Sequence, residues 1–156
     1  MFMAYTIFDI ANWFINKESM DQKKVQKLCY YTQAWSMALY NKPMINCTFE
    51  AWAHGPVCRE LWEKLHEHTY YPIPKNTLKD EAIFITDTDA LELIERVWET
   101  YKEFNGYQLE VLTHQESPWI NARGDTPEFQ KCTSIISQED MRAYYRALYS
   151  GDGLGE

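Results

Sequence analysis

The sequence predicts a mainly α fold, a compact single-domain bundle of about six helices with a minor short β-sheet. Three observations carry that expectation. Apolar residues recur at helical spacing through most of the chain, whereas only two short stretches alternate as strands do. At 156 residues the chain buries roughly 70% of its unfolded surface, which suits one core and leaves two full domains cramped.

The first helix opens at Thr6, with Asp9 three residues on as a variant capping box. Ile7, Ile10, Ala11, Phe14 and Ile15 form its apolar stripe. Asp21 caps a second helix of about eighteen residues, where Val25, Leu28, Cys29, Thr32, Trp35, Ser36 and Leu39 repeat the spacing until Asn41-Lys42-Pro43 stops it. Its length marks it as the central helix. From Cys47 to Ala53 the chain alternates as a short strand and enters the turn His54-Gly55-Pro56. Pro56 is expected at the first position of a third helix lined by Val57, Leu61 and Leu65.

Residues 66–80, with Pro72 and Pro74, read as a loop, and Ala82 to Ile85 as a second extended piece placed to pair with the first. Asp87 or Thr88 caps a fourth helix through Leu91, Ile94, Val97 and Tyr101, closed by Asn105-Gly106. A short fifth helix surrounds Leu109 and Leu112, and Ser117 as N-cap with Pro118 starts another turn. Residues 121–132 read as loop and Ile135-Ile136 as extended. Ser137 with Asp140 then caps a last helix through Met141, Tyr144, Tyr145 and Leu148. The expected division is one domain over residues 1–149 and a disordered tail over 150–156.

Composition excludes several classes. Fifteen Lys and Arg against 23 Asp and Glu give a net charge of −8, which opposes phosphate neutralisation and favours a basic or neutral protein partner over nucleic acid. No apolar run approaches the roughly 20 residues needed to span a bilayer, and Met1 to Tyr5 lacks the positive start of a secretory signal, so a cytoplasmic protein is expected. The aromatic fraction of 15% supplies either core or interface anchors.

Chemical constellations are weak. Cys47, His54, Cys58, His66 and His68 lie within 22 residues. Only His66 and His68 have close-pair spacing, and on a helix they point apart, so no metal or other cofactor is expected. Cys58 near a helix start, with His54 or His114, admits a Cys/His hydrolase as the alternative from another class, but no oxyanion loop accompanies it. Lys23, Lys24 and Lys27 on the second helix read as a solvated face rather than a DNA contact.

The sharpest local feature is Ala51-Trp52-Ala53-His54-Gly55-Pro56-Val57. With Val25-Gln26-Lys27-Leu28-Cys29-Tyr30-Tyr31 before it, and Leu112-Thr113-His114 and Pro118-Trp119 after it, the sequence resembles the Panacea domain. This domain, also called the SocA-like antitoxin domain, is common in bacteria and their phages. The second helix is similar to the family's K-L-x-K-L-x-Y-Y pattern, with Lys24-Val25 where K-L is usual. The A-W-x-x-G-P-V motif is complete, and the order agrees from about Thr6 to Leu148. The resemblance implies function by binding: an antitoxin that neutralises a cognate protein toxin encoded nearby, without catalysis. One member instead delivers its toxin to a ClpXP-type protease. Some relatives carry a DNA-binding segment ahead of the domain, which is not expected here with the first helix starting by residue 6.

The motif residues Lys27, Leu28, Trp52, Gly55, Pro56, Val57, Pro118 and Trp119 have a structural reading: an anchored indole, a turn and two helix starts. Tyr30, Tyr31 and Tyr40, partly off the apolar stripe, with His54 and His114 as a polar pair, are the candidate partner-binding residues.

Overall fold

A computed structural model describes residues 4–68 and 71–152. Helix α1 (Ile7–Lys17) begins with the expected box: the Asp9 N–H donates to the Thr6 hydroxyl, and Asp9 accepts from the Thr6 N–H. Helix α2 (Gln22–Tyr40) is capped by Asp21, which accepts from the Lys24 N–H. It ends where Asn41 turns left-handed at φ 53°, a conformation asparagine tolerates better than most residues. Strands β1 (Glu50–Trp52) and β2 (Gly55–Val57) form an antiparallel hairpin in the register Glu50 to Val57. Helices α3 (Arg59–Leu65), α4 (Thr88–Tyr101), α5 (Gly106–His114), α6 (Ser117–Arg123) and α7 (Gln138–Asp152) follow, with a 3-10 turn at His66–His68. The mainly α expectation with a small sheet therefore holds, with seven α-helices among the described residues.

Helix α2 is central, as its length implied, with α1, α4, α5 and α7 packed around it. Its burial is far wider than one stripe, because every residue from Lys24 to Ala38 is buried. This corrects the placing of Tyr30 and Tyr31 as exposed anchors, since they are 1% and 0% exposed. Helix α7 lies over the side of α2 that periodicity left to solvent, and Tyr145 packs edge-on against both rings. The lysines are not a solvated face either. Lys24 donates to the Lys102 carbonyl at 2.8 Å, Lys27 to the Pro56 carbonyl at 3.3 Å, and the half-exposed Lys23 to Glu110 at 2.6 Å.

Polar side chains this deep need partners. Gln33 donates to the Ile45 carbonyl and accepts from the Met44 and Ile45 N–H groups, while Gln26 donates to the Cys58 carbonyl and accepts from its N–H. Seven residues apart on one helix face, the two amides act as short strand partners for the flanking chain.

Other expectations shift. Pro56 sits in β2 rather than starting a helix, and α3 begins at Arg59 with Cys58 as N-cap. The 82–85 segment does not pair with β1. The Ile83 N–H donates to Asp9 at 2.8 Å, and the further edge of β1 is taken by residues 134–136 through Ala51 to Ser134 and Ile136 to Phe49 bonds, both 2.8 Å. Asn105 caps α5 in a box with Gln108 instead of closing α4. Glu116, not Ser117, is the N-cap position of α6, and its buried carboxylate makes no capping hydrogen bond. Helix α7 runs to Asp152, so residues 150–152 of the expected tail continue it, and 153–156 lie outside the described residues.

Candidate functional site

The four motif segments converge on the β1–β2 hairpin. Its carbonyls are gripped by three side chains from two helices: Ala51 accepts from Arg123 Nη1 at 2.8 Å and Trp52 from the Trp119 indole at 2.9 Å, both on α6, and Pro56 accepts from Lys27 on α2. Gly55 takes φ +105°, and a Cβ placed there would stand 2.5 Å from Lys27 Cε and 3.1 Å from the Thr113 hydroxyl. The glycine thus lets the hairpin lie directly on α2 and α5. Leu28 is fully buried beside Lys27, Val57 is buried in β2, and Pro118 opens α6 so that Trp119 and Arg123, one turn apart, face the hairpin together. The Arg123 guanidinium lies 4.8 Å from the Trp119 ring centroid and also donates to the carbonyls of Pro127, Glu128 and Gln130. One side chain fastens both the hairpin and the loop after α6.

The outer face of the hairpin is aromatic. Trp52 is half-buried, with its indole N–H on Glu50 at 2.9 Å and Arg59 over its ring at 5.4 Å. Trp62 of α3 stands 5.6 Å from Trp52 and stacks on His66 at 5.2 Å. Arg59 closes the arrangement with a two-point bond to Glu50 at 2.7 and 3.1 Å, and that pairing holds the Glu50 carboxyl below its ordinary pKa against the opposing effect of burial.

The candidate partner residues divide. His54 projects from the hairpin turn, 70% exposed, with Nδ1 3.2 Å from Glu110. His114 is stacked on Trp119 at 4.0 Å with Nδ1 3.4 Å from Glu128, and burial lowers its pKa. The two histidines therefore do not form the expected pair, each having its own carboxylate. Tyr40 is half-buried at the end of α2, away from the hairpin. The Cys58 thiol is hydrogen-bonded to the free thiol of Cys47, which lowers the Cys58 pKa. Among the described residues no group of three or more His, Cys, Asp or Glu is placed to hold a metal ion.

Among the buried ionisable groups are Glu116, which sequence reasoning did not single out, and Lys27, which it named as a motif residue without foreseeing its burial. Glu116 accepts from the Tyr31 and Tyr145 hydroxyls at 2.7 Å each, and burial raises its pKa from 4.5 to about 7 despite those bonds. Lys27 is brought down from 10.5 to about 7, chiefly by burial. The burial of neither is visible in a charged sequence, although an acid directly before Ser-Pro-Trp is a signal for a cap. Because folded Glu116 keeps its proton to higher pH than unfolded Glu116, stability from this group is greatest below pH 4.5 and falls as pH rises to about 7. The loss is on the order of 3 kcal/mol. Lys27 acts in the opposite sense, so stability returns as pH rises from about 7 towards 10.5. In urea titrations across pH 4.5–7, Glu116→Gln should remove most of the parent's decline; an unchanged slope would place the decline elsewhere.

A family profile described as antitoxin SocA-like, Panacea domain matches residues 25–120. No curated protein and no solved structure matches the chain. The profile covers more than half the sequence and spans α2, the hairpin, α3 to α5 and the start of α6, the elements that build this site. The chain therefore belongs to the antitoxin SocA-like, Panacea domain family.

Proposed function

We propose that this protein is the antitoxin of a toxin–antitoxin pair and acts in the cytoplasm by binding its cognate protein toxin, without catalysis or cofactor. The family match carries the reading. The site supports it, because its side chains hold a hairpin in place: Lys27, Trp119 and Arg123 all donate to backbone carbonyls. A rigid, partly aromatic outer face is what a protein interface of roughly 1,600 Å² requires for its anchors.

The test is co-expression with the product of the adjacent gene. The neighbour alone should arrest growth, the pair should grow, and the two proteins should co-purify. Cys58→Ser should rescue as well as the parent, since serine also suits an N-cap; loss of rescue in a folded Cys58→Ser protein would favour the Cys/His hydrolase. Rescue that disappears in cells lacking the ClpXP-type protease would assign delivery to that protease instead of occlusion. A harmless neighbour that does not bind would overturn the antitoxin reading.

A further inference from the structure

We infer that Cys47 and Cys58 are a modification site, at which a hydroperoxide oxidises the two thiols to a disulfide across the open end of the hairpin. The inference goes beyond the antitoxin reading and does not depend on it. Two sets of bonds bring the cysteines together. The strands pair Glu50 with Val57, so the chains are still side by side one residue further out, at Phe49 and Cys58. Gln26 of α2 holds Cys58 by its N–H and carbonyl, and Gln33, seven residues on, holds Ile45 in the same way. Both cysteines are thereby anchored against one helix face, and their thiols are hydrogen-bonded to each other.

Ionisation and access are divided between the two sulfurs. That of Cys58 accepts from the Cys47 thiol and from the backbone N–H groups of Leu61 and Glu60 at the start of α3, which lowers its pKa against the effect of burial. The pair therefore gives up one proton readily and shares the other. Cys58 is 2% exposed, whereas Cys47 is half-buried and lines a cavity of about 270 Å³ with Gln33, Phe49 and Met141. Cys47 is thus the sulfur a peroxide reaches, and Cys58 the one that resolves. With the shared proton on Cys58, the Cys47 thiolate attacks one oxygen of the hydroperoxide. The O–O bond breaks, leaving a sulfenic acid on Cys47, and the departing oxygen takes a proton to become alcohol or water. The Cys58 sulfur then attacks the Cys47 sulfur: the S–S bond forms, the S–O bond breaks, and hydroxide leaves as water with the Cys58 proton. Each sulfur gives one electron and the peroxide takes two. The remaining thiols are badly placed to compete. Cys29 is fully buried, which raises its pKa well above the ordinary value, and Cys132 has Ser134, Arg123 and Thr126 about its sulfur, none of which resolves a sulfenic acid. In a reducing compartment such a bond is transient, formed under oxidation and reversed afterwards.

The purified parent is treated with hydrogen peroxide, alkylated in denaturant and digested with chymotrypsin, whose sites at Tyr40, Phe49 and Trp52 separate Cys29, Cys47 and Cys58. A pair of peptides joining Cys47 to Cys58 should appear, about 2 Da lighter than the sum of the reduced peptides. Dithiothreitol should restore both thiols, and Cys29 should be recovered alkylated. In Cys58→Ser, which keeps a side chain suited to an N-cap, the sulfenic acid on Cys47 has no thiol to resolve it. Dimedone should therefore label Cys47 in that variant and leave it unlabelled in the parent. Recovery of both cysteines alkylated after peroxide would overturn the inference, as would a link from Cys47 to Cys132 in place of Cys58, or a Cys58→Ser protein whose Cys47 takes no dimedone.

Discussion

Replacing Gly55 by Val should leave the protein largely unfolded at 37 °C and abolish any binding activity. Two costs coincide at this position. The backbone stands at φ +105°, a conformation closed to a β-branched residue. A Cβ would also fall 2.5 Å from Lys27 Cε, and Lys27 cannot swing aside because it is 2% exposed and held by the Pro56 carbonyl. Strain and overpacking together are worth about 4 kcal/mol or more, a large share of the roughly 5–15 kcal/mol available to a domain. Circular dichroism and urea unfolding measure it. A Gly55→Val protein with the parent's midpoint would show that the hairpin can lift from α2 without loss.

Arg123→Met should be comparably damaging, by roughly 4 kcal/mol, because it removes the donor to four backbone carbonyls at once. Those of Ala51, Pro127 and Gln130 are at 2.7–2.8 Å and that of Glu128 at 3.2 Å. Methionine keeps the stem against Trp119 but leaves the acceptors unpaired inside. Arg123→Lys should recover only part of the loss, since one ammonium cannot span both the hairpin and the loop. A parent-like midpoint for Met would mean that water serves these carbonyls equally well.

Much of this architecture was legible where local chemistry decides it. Thr6, Asp21 and Asp87 cap as read, and Asn41-Lys42-Pro43 stops α2, because caps and breakers act within four residues. What periodicity could not show was the full enclosure of α2, since Lys24, Gln26, Lys27 and Gln33 count as polar in any pattern yet find partners far along the chain. Tyr30 and Tyr31 were assigned to the surface for that reason. The motif residues were identified from the sequence, but their common purpose was hidden: Lys27, Gly55 and Trp119 are 28 and 64 residues apart in succession and meet only at the hairpin. Arg123 was read as loop because nothing local distinguishes an arginine with four carbonyl partners from a solvated one. The pairing of β1 with residues 134–136 rather than 82–85 was likewise a choice between distant segments.

The enclosure of α2 also sets when the protein becomes competent during synthesis. Tyr30 is bonded to Tyr145, 115 residues downstream, so α2 leaves the ribosome long before α7 exists to cover it. At roughly 5–20 residues per second the uncovered interval lasts some 6–23 s, during which the nascent chain presents an apolar flank to chaperones and proteases. A message truncated ahead of residue 138 yields a helix with no lid, and no shortened product can supply a finished core. A covered α2 therefore requires translation through α7.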